Sequence, residues 1–114
     1  MSQRFRIVSE ADAHVIELLL PAHIEALEFD SINTDIAEQI IARGSSAWVI
    51  DLTGALYIGS ALLGLLINVR TKVRQSHGTL TLCSMDAALE RVLRVGSMER
   101  LFTIVNGRRE ALKK

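Results

Sequence analysis

Hydrophobic and polar residues alternate from the start of the chain. Phe5 and Ile7 stand between Arg4 and Arg6, which predicts a short strand with one buried face. Val15 to Leu20 predicts a second strand, ended by Pro21, with a hairpin turn at Glu10–Ala13. Phe29, Ile32, Ile36, Ala37, Ile40 and Ile41 then recur at helical spacing. Asp30 or Ser31 is the expected cap of that helix, and Arg43 with Gly44 closes it. Ala47-Trp48-Val49-Ile50 is a continuous apolar run, as in a strand covered on both faces. Ser60 to Gln75 gives the strongest helical pattern. A fourth strand follows around Leu80–Cys83, then a helix capped by Ser84 or Asp86 and stopped near Gly96. Phe102–Val105 reads as a short last strand, and Gly107 precedes a basic tail. The order β-β-α-β-α-β-α-β predicts a single α/β domain over residues 1–114. Its sheet is mixed and mainly parallel, with an antiparallel N-terminal edge pair and helices packed against it.

Composition narrows the function. The chain has 114 residues, long enough for one core without staples. Its single cysteine, Cys83, excludes an intramolecular disulfide framework and reads as a core residue rather than a reactive thiol. Aromatic residues make up only 4%, which argues against a base-stacking nucleic-acid platform. The expectation is a cytoplasmic protein, with no apolar run long enough for membrane insertion and no signal-peptide core at Met1–Arg6. The formal net charge is zero, yet residues 1–58 carry three basic side chains against nine acidic ones, and residues 59–114 carry ten basic against four. A basic half can offer a face to an acidic partner, or its charges can simply be solvated helix faces.

Catalytic chemistry is poorly supplied. His14, His23 and His77 form no metal-binding pair, so no metal and no cofactor are expected. Gly54–Ser60 follows a strand and opens a helix, as phosphate-binding loops do, but lacks the lysine that holds the phosphates. Asp51 ends a central strand with no acid, base or nucleophile beside it in sequence. The reading is therefore a non-enzyme.

The helix from Ser60 is more informative. At about 100° per residue, Leu62, Leu65, Leu66, Val69 and Val73 share one broad face that covers the sheet. Ser60, Leu63, Gly64 and Ile67 form a second stripe, which either packs on a neighbouring helix or docks another protein. Gly64 inside a helix costs ~1 kcal/mol and predicts a close backbone approach. Ser60 reads as the helix N-cap, and the same position suits a phosphate group.

Asp51-Leu52-Thr53-Gly54-Ala55-Leu56-Tyr57-Ile58-Gly59-Ser60-Ala61-Leu62-Leu63-Gly64-Leu65-Leu66 resembles the signature of the STAS domain, the anti-sigma factor antagonist family. Leu80–Cys83, Ala87, Val92, Leu93, Gly96 and Leu101-Phe102 resemble the family's last strand–helix–strand unit. Gly59 stands where the family usually carries Asp, and Leu62 where it carries Gly. The resemblance implies a regulatory binding module in a bacterial partner-switching pathway that controls transcription. Its partner would be an anti-sigma factor that is also a serine-protein kinase, and the ATP would belong to that partner. Ser60 would be the phosphorylation site, making the chain a phosphoprotein, and Gly59, Ser60, Ala61, Leu63, Gly64 and Ile67 the partner-binding strip. The alternative is a non-phosphorylated STAS scaffold or structural module in a signalling or transporter-associated complex, with homo-oligomers as its partners. A third reading is a small-molecule-binding protein using the strand ends near Asp51.

Overall fold

A computed structural model describes residues 4–57 and 59–113. The hairpin comes first: β1 (Phe5–Glu10) and β2 (Ala13–Leu18) pair antiparallel, with Phe5 opposite Leu18 and Glu10 opposite Ala13. Its turn places Ala11 and Asp12 at φ 51° and 64°, a left-handed conformation usually given to Asn or Gly. Then follow α1 (Ala26–Arg43), β3 (Ala47–Asp51), α2 (Ser60–Gln75), β4 (Thr79–Cys83), α3 (Ala87–Val95), a 3₁₀ turn (Glu99–Leu101), β5 (Thr103–Val105) and α4 (Arg108–Leu112). The strands lie in chain order across one sheet, and every pair after the hairpin is parallel. The mixed, mainly parallel sheet with its antiparallel edge pair is thus present.

The two sheet faces differ in depth of cover. On one, Ile16, Leu18, Trp48, Ile50 and Leu82 meet Phe29, Ile32, Ile36 and Ile40 of α1, the apolar face of α2, and Leu89 of α3 in one core. On the other, Ala13, Val15, Val49 and Cys83 are covered by Ala111 of α4. The Cys83 thiol is buried, which raises its pKa. No helix among the described residues is long and apolar enough to cross a membrane.

Three local readings change and one alternative is decided. Helix α1 starts at Ala26, with Glu25 as its N-cap and no side-chain cap bond, so Asp30 and Ser31 lie inside it. The helical pattern hid this extra turn because Leu27 points to solvent, while Ile24 and Phe29 anchor the entry in the core. Strand β2 stops at Leu18, and Leu20 pairs separately with Ala55. Asp86, not Ser84, caps α3, accepting a bond from the Leu89 amide at 2.9 Å. Finally, the expected basic tail folds as α4 up to Leu112, with Lys114 outside the described residues. It docks because Ala111 is buried on the sheet and the Arg108 guanidinium donates to Glu10 (2.8 Å), Glu17 and Asp51 (3.3 Å).

Candidate functional site

The loop between β3 and α2 is held by short-range bonds that follow from its sequence. The Asp51 carboxylate accepts bonds from the Thr53 amide (3.0 Å) and hydroxyl (2.6 Å), turning the chain out of the sheet. Burial pushes the Asp51 carboxyl up, but Thr53 and Arg108 outweigh it and hold the pKa below its ordinary value. Asp51 is thus an ionised structural anchor. Gly54 is required for space: a Cβ there would meet the Leu18 carbonyl oxygen at 2.6 Å. Its own carbonyl accepts from the Leu20 amide (3.0 Å), and the Leu56 amide donates to the Leu20 carbonyl (2.7 Å). The loop is thereby stitched to the continuation of β2, which fixes where α2 begins.

Beyond that anchor, Tyr57 turns inward and packs its ring on Phe29 of α1, centroids 4.9 Å apart. Ile58 lies outside the described residues. Gly59 has extended backbone and is the N-cap of α2; a Cβ on it would collide with the Tyr57 ring. The expectation that Ser60 caps the helix is therefore corrected by one position. Ser60 is the first helical residue, it is exposed, and no side-chain bond caps the helix. No acidic residue occupies the first turn, so the positive end of the helix dipole is unneutralised beside an exposed hydroxyl.

The second stripe of α2 is graded in exposure. Leu62, Leu65, Leu66, Val69 and Val73 are buried. Ala61 and Leu63 are half-buried against the core, Gly64 is exposed, and Ile67 is 37% exposed. Helix α1 packs beside α2, and Asn68 donates to Asn33 across them at 3.0 Å. Among the described residues Gly64 has no neighbour to justify it: a Cβ there meets none of them within 4 Å. The expected close backbone approach is thus not found among the described residues. Leu56 is 66% exposed on the loop and Leu19 stands exposed beside it. Sequence pattern missed both, because loop residues carry no periodicity, though a leucine in a motif loop is itself a signal.

The remaining residues singled out from sequence are dispersed. His14 lies on Trp48, rings 4.9 Å apart, its pKa lowered by burial and by Arg43. His23 pairs with Glu25 on an exposed segment, and His77 sits in the turn after α2. Among the described residues no group of three His, Cys, Asp or Glu side chains is placed to hold a metal ion.

Comparison with known proteins places this geometry. The family model described as STAS domain matches residues 4–111. A Bordetella bronchiseptica protein, BtrV, named as a candidate anti-sigma factor antagonist, is 26% identical over 88 residues, 77% of this chain and 75% of that protein. The structure of an anti-sigma-factor antagonist (STAS) domain protein from Planctomyces limnophilus superposes with a TM-score of 0.78 at 24% identity, covering 95% of this chain and 94% of that one. The Bacillus cell fate determinant SpoIIAA, in its phosphorylated form, superposes at 0.69 with 14% identity, covering 95% and 96%.

Proposed function

Since the chain belongs to the STAS domain family, we propose that it is an anti-sigma factor antagonist, a non-enzymatic module that binds an anti-sigma factor with serine-kinase activity. The observation that carries this reading is the N-terminal end of α2. An exposed serine there heads a stripe of Gly64 and Ile67, with an exposed Leu56 on the preceding loop and, among the described residues, no cover over the glycine. Gly59, Ser60, Ala61, Leu63, Gly64 and Ile67 form the contact strip, with Leu63 contributing only its free edge. BtrV, by its name, supports an anti-sigma factor as partner, and SpoIIAA, solved in a phosphorylated form, supports a modification.

Phosphorylation at Ser60 is the switch. A phosphate there adds about −1.5 to −2 charge and is held by the free amides and dipole of the first turn. The same charge stands at the head of the stripe, one turn from Leu63 and Gly64, where a closing interface would have to desolvate it. Binding and modification therefore exclude each other. Gly59 removes the carboxylate usual before the acceptor, so the kinase must recognise Ser60 through the loop and the apolar stripe.

The test is a titration of isotopically labelled chain with a candidate anti-sigma serine kinase from the same organism, followed by amide chemical shifts. Broadening centred on residues 59–67 and Leu56 is expected. Saturating partner with no perturbation there, or perturbation confined to α3 and α4, would overturn the assignment.

A further inference from the structure

At the far end of α2 lies a second feature that partner docking at Ser60 leaves unused. Strand β5 is three residues long and begins with Thr103 opposite Thr81, so Thr79 and Leu80 of β4 run on past its end. The gap forms a notch of about 370 Å³. Three arginines line it: Arg70 and Arg74 from the last turns of α2, and Arg100 from the 3₁₀ turn. Thr79 and Thr103 add exposed hydroxyls, while Leu80, Leu101 and Phe102 supply an apolar wall. No carboxylate is among the lining residues. The Arg70 Nε donates to the Leu101 carbonyl at 2.7 Å, which orients that guanidinium and leaves its terminal nitrogens available. Arg74 and Arg100 make no ion pair or hydrogen bond with the described residues, in contrast to Arg4, Arg6, Arg94 and Arg108, each of which pairs with a carboxylate.

Three like charges left together repel one another, and a concave site gathers their field. Guanidinium groups match the paired oxygens of phosphate groups, and hydroxyls complete the set. The notch falls within the range of small-ligand sites and is too confined for a folded surface. We infer that this notch binds a small polyphosphate anion, with the phosphate chain on Arg70, Arg74 and Arg100. Ser60 and Arg74 lie 14 residues apart on one helix, roughly 21 Å at 1.5 Å per residue, so the site is separate from the proposed docking end.

The experiment is calorimetric titration of the full chain with sodium tripolyphosphate, with sulfate and ATP as parallel ligands at one ionic strength. Saturable tripolyphosphate binding is expected, with sulfate weaker by about tenfold or more. The double variant Arg74→Ala/Arg100→Ala should bind at least about tenfold more weakly, since each change removes charge-assisted bonds. Both side chains are exposed, so its thermal melt should match the parent. ATP binding more tightly than tripolyphosphate would identify a nucleoside-borne chain, and equal affinity a bare one. Absence of tripolyphosphate binding, equal binding of sulfate, or an unaltered double variant with a normal melt would overturn the site.

Discussion

Replacing Ser60 with Asp should raise stability while weakening partner binding. Ser60 is the first residue of a sixteen-residue helix whose first turn holds no acidic side chain. A carboxylate at that position interacts with the free amides and the dipole, worth about 0.3–1 kcal/mol. For a chain of this size that is a rise in melting temperature of roughly 1–5 °C. Ser60→Ala should change stability by less than about 0.5 kcal/mol, because the helix has no side-chain cap bond to lose. Binding should respond the other way. Ala removes only a small polar group, whereas Asp brings a charge that the interface must desolvate, and an affinity loss of at least about tenfold is expected. Urea unfolding at pH 7 and calorimetric titration with the proposed partner, an anti-sigma kinase, measure the two quantities. The gain from Asp should disappear below about pH 4, where the carboxylate is protonated. A destabilised Asp variant would refute the placement of Ser60 at an open helix end. Equal affinity of the Asp and Ala variants would refute its place in the interface.

Gly64→Ala should stabilise the chain by ~1 kcal/mol, since the added methyl meets open space, and weaken partner binding; unchanged affinity in calorimetry would remove Gly64 from the contact. Arg108→Met should cost ~2 kcal/mol at pH 7, because it strips the buried Asp51 and the half-buried Glu17 of their shared cation. Arg108, then Arg6, lowers the Glu17 pKa, and Asp51 is lowered too, so this stabilisation is complete above their ordinary values and is lost as pH falls below about 4. Denaturation at pH 7 and pH 3 should show the gap between parent and variant narrowing in acid, and a constant gap would contradict the network. The double change Ala11→Asn/Asp12→Gly should raise stability by about 1 kcal/mol in thermal unfolding, because both residues occupy left-handed backbone.

What could be read from the sequence was local and periodic. Trp48–Ile50 announced a buried central strand, and Leu62 to Val73 fixed the length and inner face of α2, because burial imposes a repeat on each element. Helix α4 carried no such repeat: one small residue, Ala111, makes its buried contact, among charged neighbours. Its anchor was hidden by distance, since Arg108 is 98 residues from Glu10 and 91 from Glu17. Both ends of α2 were legible, Ser60 to Gln75 as observed; only its cap moves, from Ser60 to Gly59, and that matters, because a serine inside the first turn is free where a capping serine is not. The openness around Gly64 had no signature, since sequence shows a helical glycine but not what faces it.

The most direct measurement is phosphate mapping. The chain is incubated with MgATP and the proposed partner, a candidate anti-sigma serine kinase from the same organism, then digested and fragmented in a mass spectrometer, with the complex followed by gel filtration. One phosphate on Ser60, accompanied by release of the kinase, is the predicted result. Phosphate on another residue, or a complex that survives stoichiometric phosphorylation of Ser60, would contradict the switch.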